Sequence, residues 1–138
     1  MTQVISATGL VATDPQLKTT SKDDSVVSFR LAATGRRFNQ DEGKWESTAT
    51  NWYTVICFRK LADHVSQSIA KGDRVLVRGK IRVRDWDNGE RSGTAVEIDA
   101  ESIGHDLLFG TTTFNRIVNV PDPDELEEED LEAELQPA

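Results

Sequence analysis

The stretch Lys71–Trp86, KGDRVLVRGKIRVRDW, is decisive for the fold of this chain. Successive side chains of a β-strand point to opposite faces, so the stretch separates into two rows. One row is apolar and consists of Val75, Val77, Ile81 and Val83. The other, the cationic row, consists of Arg74, Leu76, Arg78, Lys80, Arg82, Arg84 and Trp86. The pattern predicts a strand with one face on a core and the other toward solvent or an anion, because burying unpaired cations is costly.

A strand face that combines cations with a large aromatic suits a polyanion that also has flat bases. Nucleic acid has this chemistry, and single strands fit better than duplexes because only unpaired bases offer their faces for stacking. The competing interpretation is an ordinary solvated strand face. This strand alone does not decide between the two.

The negative charge of the chain is concentrated at its C-terminal end. The 138 residues include 24 acidic and 16 basic ones, for a net charge of −8. Residues 119–138 hold nine of the acids and no Lys or Arg, so the rest of the chain is nearly neutral. A low overall pI is therefore no argument against a polyanion-binding body. We expect one domain followed by a flexible acidic tail at 119–138.

The order of predicted elements indicates a fold class. Strands are expected at about 3–13, 25–34, 51–59, 74–86 and 93–103. A long polar hairpin loop is expected at 35–50, a hairpin turn at Asn88-Gly89, and a short helix at 61–71 that ends at Gly72. An all-β, five-stranded OB-fold barrel has its one helix between strands 3 and 4, as here. A five-stranded barrel of another topology is the alternative.

Several aromatic side chains are candidates for base stacking. Trp52 and Phe58 lie opposite the core face of the third strand, Trp86 ends the cationic row and Phe38 lies in the polar loop. Phe29 and Tyr53 share the core parity, so we expect them to pack inside. Trp45, amid charged loop residues, is either a loop anchor or a contact.

These residues and several separated motifs resemble one known family, the bacterial single-stranded DNA-binding proteins, over residues 3–104. The motifs are Gly9 with Asp14-Pro15, FRLA at 29–32, Trp52 followed by VICFRKLAD at 55–63, Lys71-Gly72, and Arg82, Arg84 and Trp86. The resemblance implies an OB-fold homotetramer that binds single-stranded DNA without strong sequence preference, in replication, recombination, repair or DNA uptake.

The resemblance also implies site residues. The stacking aromatics of the family fall on Phe38, Trp52, Phe58 and Trp86, and its basic contacts on Lys60, Lys71, Arg82 and Arg84. Strand parity adds Arg30, Arg78 and Lys80. Arg74 and Leu76 share that parity, but a subunit interface is an alternative place for them.

The end of the chain departs from the family pattern. Many members finish in an acidic Asp-Asp-any-Pro-Phe tip that docks replication and repair enzymes, whereas this chain ends LEAELQPA. The departure suggests a paralogue without the usual docking tip, although the acidic tail could still bind such partners. We expect an OB-fold domain at 1–104 and, at 105–118, either an extra strand or a clamp between subunits.

The sequence contains no motif of an enzyme, a cofactor site or a metal site. There is no phosphate-binding GxxxxGK loop, and His64 and His105 lie in no metal-ligand spacing. Glu97, Asp99 and Glu101 alternate on one strand, which favours a solvated outer face over a cation site. The lone Cys57, the absence of a long apolar run and the N-terminal sequence predict a cytoplasmic protein, and the resemblance implies association with the nucleoid. Two rival functions remain: a protein-interaction module whose arginines pair with acidic partners, and RNA binding.

Overall fold

The computed structural model describes residues 3–117, except the side chains of residues 36, 37, 47 and 48. The elements within this range are β1 (Val4–Val11), β2 (Gln16–Thr19), β3 (Ser25–Asn39), β4 (Lys44–Phe58), α1 (Arg59–Ser68), β5 (Arg74–Asp87) and β6 (Ser92–His105). None of the helical structure in this range is long and apolar enough to cross a membrane.

Five of the strands close into a ring. They follow the spatial order β1-β5-β6-β4-β3, and β3 returns to β1 through pairs such as Val11 with Leu31. The β4–β6 pairing is parallel and the others are antiparallel. The helix α1 lies between the third and fourth strands of this ring in chain order. The prediction of an OB-fold barrel is therefore confirmed.

The core lies inside the barrel and is formed by the side chains that strand alternation in the sequence assigned to the inner face. Val75 and Val77 on β5 are completely buried, as is Ile98 on the adjacent strand β6. Phe29 is buried on β3, and Tyr53 packs against the core as a partly buried residue. Ala62, Val65 and Ile69 close the core from the side of α1. Apolar burial of this kind provides the main stabilising free energy of the domain.

Two glycines allow strands to approach one another closely. A Cβ on Gly9 of β1 would lie 2.5 Å from the carbonyl oxygen of Ala32 on β3. A Cβ on Gly79 of β5 would collide with the carbonyl oxygen of Asp99 on β6, beside the irregularity in register between Arg78 and Gly79. Because both neighbours are backbone atoms, these positions have no room for a side chain.

The hairpin predicted at 35–50 is present, but the prediction that most of it is a loop is wrong. The chain continues as strand to Asn39, turns over residues 40–43 and resumes as β4 at Lys44. Phe38 and Trp45 face each other across this hairpin, and Gly43 has a φ of 66° in the turn. The hairpin extends past the core, where polar residues can pair without an apolar alternation. This lack of alternation is why the sequence pattern indicated a loop.

Other boundaries also differ from the predictions. The helix ends at Ser68 rather than at Lys71, because Ile69 is already extended. Gly72 has a positive φ, as predicted, but it lies in the turn before β5, where its N–H donates to the carbonyl of Val11 at 2.8 Å. The short strand β2 was not predicted. Residues 106–117 contain no strand in this single chain, so only the clamp alternative stays a prediction for that segment.

The buried thiol of Cys57 gives a testable prediction. Burial raises the pKa of this thiol to about 12 from its ordinary value of 9.0, because the core disfavours the thiolate. Only the thiolate is nucleophilic, so we expect very slow alkylation by iodoacetamide at pH 8 and fast alkylation in urea. Mass spectrometry of the two samples measures the difference. Equal rates would mean that Cys57 is accessible in the folded chain.

The same pKa shift sets a direction for stability against pH. The folded state holds the thiol proton more tightly than the unfolded state does. The contribution of Cys57 is therefore complete below pH 9 and is lost as the pH rises toward 12.

Candidate nucleic-acid interface

The four aromatic side chains predicted to stack bases all project into solvent. They are between 43% and 49% exposed, and they are Phe38, Trp52, Phe58 and Trp86. Trp52 and Phe58 lie on β4 with the parity opposite to that of the buried Val55 and Cys57. The prediction that these aromatics lie outside the core is thus confirmed. Half-exposed rings present flat apolar surface to solvent, which is the property a base-stacking platform requires.

Trp52 is held by an arginine on the neighbouring strand. The guanidinium carbon of Arg30 lies 5.5 Å from the centroid of the Trp52 ring system, within cation–π range. Nη1 of Arg30 donates a hydrogen bond of 3.2 Å to Oγ1 of Thr54. Arg30 therefore touches two successive outward-facing side chains of β4, Trp52 and Thr54, and is fixed beside the indole. A cation fixed beside an exposed indole is the combination of groups that suits a phosphate next to a stacked base.

Trp86 is held in a different way, by a glycine on β6. Trp86 and Gly93 are paired across the β5–β6 hairpin. A Cβ on Gly93 would lie only 2.9 Å from Cζ2 of the indole, so the ring rests on the Gly93 backbone. Any larger residue at position 93 would push the ring away. The glycine thus determines where the indole lies.

Phe38 has an aromatic partner that the sequence left undecided. Trp45 lies opposite Phe38 across the β3–β4 hairpin, and the two ring centroids are 5.4 Å apart at an interplanar angle of 60°. This is an edge-to-face pair. Trp45 is 63% exposed, more than Phe38 itself. Hairpin pairing brings the two rings together, which a loop interpretation of residues 35–50 could not show.

One row of side chains runs across four strands on the outside of the barrel. Arg30 on β3 is paired with Thr54 on β4, Thr54 with Glu97 on β6, and Glu97 with Arg82 on β5. Directly paired residues point to the same face of a sheet. The surface around Trp52 is therefore continuous with the cationic row of β5.

The cationic row is exposed as predicted, but three of its arginines are paired with carboxylates of the same chain. Nη1 of Arg78 lies 2.9 Å from Oε2 of Glu101, and Nη2 of Arg82 lies 3.0 Å from Oδ1 of Asp99. Nε of Arg84 lies 3.4 Å from Oε1 of Glu97. These three acids lie on the outer face, as the sequence favoured, and there they are the cross-strand ion-pair partners of the arginines, which the sequence did not predict.

Glu97 differs from the other two carboxylates in its burial. Its side chain is 13% exposed, while that of Arg84 is 64% exposed. Oε1 of Glu97 is buried and makes no hydrogen bond. Its charge is neutralised by the ion pair with Nε of Arg84, whose geometry does not meet the criteria for a hydrogen bond. Such a carboxylate needs a cation close to it.

The remaining predicted basic residues lie in three places. Lys80 points outward from β5 and makes no ion pair with any described residue. Lys60 lies in the first turn of α1, two residues after Phe58. Lys71 is exposed in the turn before β5, at the opposite end of that strand from Trp86. Of the predicted basic residues, Arg30 and Arg82 thus lie at the two ends of the row that runs through Thr54 and Glu97. Lys71 does not lie beside Trp86.

Arg74 has a partner at the end of the barrel. Its guanidinium carbon lies 4.9 Å from the centroid of the Phe109 ring, and the N–H of Asp106 donates to its carbonyl at 2.8 Å. These contacts attach the segment after β6 to the beginning of β5. Arg74 is therefore engaged away from the aromatic surface.

No group of three or more potential metal ligands occurs among residues 3–117. The exposed surface there combines aromatic platforms with guanidinium and ammonium groups. Such a surface can stack bases and contact phosphates, and it needs no covalent chemistry. Fold and surface together define an OB-fold protein of the nucleic-acid-binding class.

Comparison with known proteins identifies the family. Residues 2–106 match the model of the single-strand binding protein family, and this chain belongs to that family. Membership confirms the resemblance noted from the sequence, and it confirms the prediction of a binding protein rather than an enzyme.

Individual relatives agree with this assignment. Single-stranded DNA-binding protein 2 of Tropheryma whipplei strain Twist is 46% identical over 112 residues, which cover 81% of this chain and 74% of that protein. Single-stranded DNA-binding protein 1 of Streptomyces coelicolor is 42% identical over 113 residues, 82% of this chain and 72% of that protein. The crystal structure of a small single-stranded DNA-binding protein from the same Streptomyces species superposes with a TM-score of 0.73 at 39% identity, covering 79% of this chain and 98% of that one.

Proposed function

We propose that this chain binds single-stranded DNA without sequence preference and protects it during replication, recombination, repair or DNA uptake. The observation that carries the proposal is the set of half-exposed aromatics Phe38, Trp52, Phe58 and Trp86 on the outside of an OB-fold barrel. Bases stack on these rings, and every base has a π-face, so affinity depends little on sequence. Family membership and the named relatives support the same function.

The basic residues contact the phosphates between stacked bases. Arg30 beside Trp52 and the unpaired Lys80 are the contacts that the geometry supports best, since neither makes an ion pair with a described residue. Arg78, Arg82 and Arg84 contribute after exchanging a carboxylate for a phosphate. Lys60 and Lys71 contact the part of the DNA that continues around the barrel beyond the four stacking aromatics. Each phosphate contact releases counterions, so binding weakens as salt rises.

The chain acts as a homo-oligomer, with a tetramer as the assembly that the family resemblance implies. Exposed apolar side chains other than the four aromatics support this, because a subunit interface would bury them. Val4 on β1 and Leu76 on β5 are two of these. Leu107, Leu108, Phe114 and Ile117 after β6 are exposed as well. We assign residues 105–118 a clamp role between subunits. Truncation after residue 104 should then lower the number of subunits per assembly, calculated from the mass measured by light scattering, and an unchanged number would remove the clamp role.

The acidic segment 119–138 lies outside the described residues. We propose that its nine acids compete with DNA for the basic surface or bind replication or repair proteins. The protein works in the cytoplasm, associated with the nucleoid. These assignments rest on charge and on the family resemblance.

A titration with oligo(dT) tests the function directly. Intrinsic tryptophan fluorescence is followed at two salt concentrations, with oligo(U) and duplex DNA in parallel. A base stacked on an indole quenches it, so strong quenching by oligo(dT), weaker binding at higher salt and little effect of duplex are expected. Stronger binding of oligo(U) than of oligo(dT) would assign RNA as the ligand. An absence of quenching by both single strands would overturn the proposal.

A further inference from the structure

The three ion pairs between β5 and β6 form a ladder in which two pairs share the same diagonal offset. The third, Arg78 with Glu101, lies at the register irregularity, since Arg78 is opposite Ser102 and Glu101 is the residue skipped there. Arg82 is directly opposite Glu97 in the register, yet its guanidinium binds Asp99, one step along the strand on the same face. Arg84 is opposite Ala95 and reaches Glu97 in the same diagonal sense. The arginines are half or more exposed, at 50% to 64%. Each arginine is therefore accessible to an incoming phosphate while a carboxylate already occupies it.

We propose that Glu97, Asp99 and Glu101 are built-in competitors of the DNA phosphates. This inference rests on the proposed function. A phosphate that binds Arg78, Arg82 or Arg84 displaces a carboxylate, which then stays beside the phosphate as a like charge or takes up a cation from solution. The carboxylates thus lower the affinity and cancel the counterion release that the arginines would otherwise produce. Binding stays readily reversible on a surface that carries many cations.

Glu97 exerts the strongest competition. Its carboxylate is nearly buried, and Arg84 provides its neutralising charge. Moving Arg84 to a phosphate leaves a buried, uncompensated carboxylate, which is costly. Glu97 also lies next to Thr54, the residue that Arg30 binds. It therefore places a negative charge in the row that leads from Trp52 to Arg82.

Isosteric neutral variants test the proposal. Glu97→Gln, Asp99→Asn and Glu101→Gln are made singly and together, and oligo(dT) affinity is measured over a range of salt. Exposed ion pairs of this kind are worth up to about fivefold each, so tighter binding by up to that factor per substitution is expected at low salt. The slope of log K against log salt should steepen by about 0.7 for each arginine released, the value for single strands.

The matched control is Asp63→Asn on α1, which changes the net charge equally but lies outside the ladder. If Asp63→Asn strengthens binding as much as Glu97→Gln, the effect is one of overall charge and the proposal fails. Unchanged affinity and slope in the triple variant would also overturn it, because the arginines would then not contact DNA. If oligo(dT) does not quench the tryptophan fluorescence of the unsubstituted protein, the proposed function itself is rejected. Thermal melting checks that each variant is folded.

A second inference rests on a separate observation, the pair of Phe38 and Trp45 at the β3–β4 hairpin. We infer that Trp45 is a fifth stacking platform. Its indole is larger and more exposed than the Phe38 ring, and the edge-to-face contact holds it next to that ring. An exposed tryptophan that served only to cover Phe38 would hide more of its own surface.

The chain contains three tryptophans, which makes Trp45 directly observable. In the double variant Trp52→Phe and Trp86→Phe, aromatic platforms remain at both positions and Trp45 is the sole indole. Quenching of this single fluorophore by oligo(dT), with binding confirmed by anisotropy of labelled DNA, is the expected result. Binding by anisotropy without quenching would overturn the role of Trp45. Absence of binding in the unsubstituted chain would again concern the proposed function alone.

Discussion

Replacement of Trp52 or Trp86 by alanine is expected to weaken oligo(dT) binding by roughly 1–3 kcal/mol each, about 5- to 150-fold. Both indoles are half-exposed and outside the core, so the loss falls on stacking and not on folding. Trp52→Ala also removes the cation–π partner of Arg30 and frees that guanidinium to move. Anisotropy of labelled oligo(dT) measures the affinity, since quenching itself changes when an indole is lost.

Two comparisons sharpen this prediction. Trp52→Phe keeps a flat ring and should retain most of the affinity. Leu17→Ala removes a similarly exposed apolar side chain from β2 and should change binding little. If the double variant Trp52→Ala with Trp86→Ala binds as tightly as the unsubstituted protein, stacking on these rings is refuted. Equal melting temperatures across the series show that folding is unaffected.

Gly79→Ala is expected to destabilise the barrel by at least about 1–3 kcal/mol, the usual cost of overpacking. A methyl group at this position meets the carbonyl of Asp99 and the Cα of Ala100, and both are backbone atoms of β6. Relief requires β5 and β6 to move apart at the irregularity next to Arg78. Urea denaturation measures the free energy of unfolding.

Gly104→Ala is the matched control for this prediction. Gly104 lies on β6 as well, in register with Leu76, but a Cβ there meets no described atom within 4 Å. The control should be neutral or slightly stabilising, because alanine restricts the unfolded chain more than glycine does. A destabilisation of Gly104→Ala equal to that of Gly79→Ala would show that contact with β6 is not the cause.

The sequence pattern predicted the core strands well because their two faces differ sharply in chemistry. Val75 and Val77 are buried and their cationic neighbours are exposed, as parity requires. The same parity failed for Val83, which is 66% exposed. The β5–β6 hairpin continues beyond the barrel at that point, and alternation within one strand cannot show where the core ends. A similar error arose at 35–50, where β3 and β4 pair beyond the core and their residues therefore show no apolar alternation.

The ion-pair ladder was missed for a different reason. Each of its rows is visible in the sequence, and only the strand register brings them together. A signal was available, since the Asn88-Gly89 turn fixes the register of β5 against β6, with Asp87 opposite Ser92. Extending that register along the hairpin places Arg82 opposite Glu97. The Phe38–Trp45 pair likewise follows from the turn at Gly43.

Closure of the barrel by β1 has a consequence for how the chain folds. Val4 pairs with Lys80, so most of β1 has no partner until β5 has left the ribosome. At a synthesis rate of about 5–20 residues per second, this delay lasts several seconds. The β3–β4 hairpin needs only neighbouring residues and can form in microseconds. We therefore expect the β3–β4 hairpin to form early and the barrel to close last, as the slow, non-local step of folding.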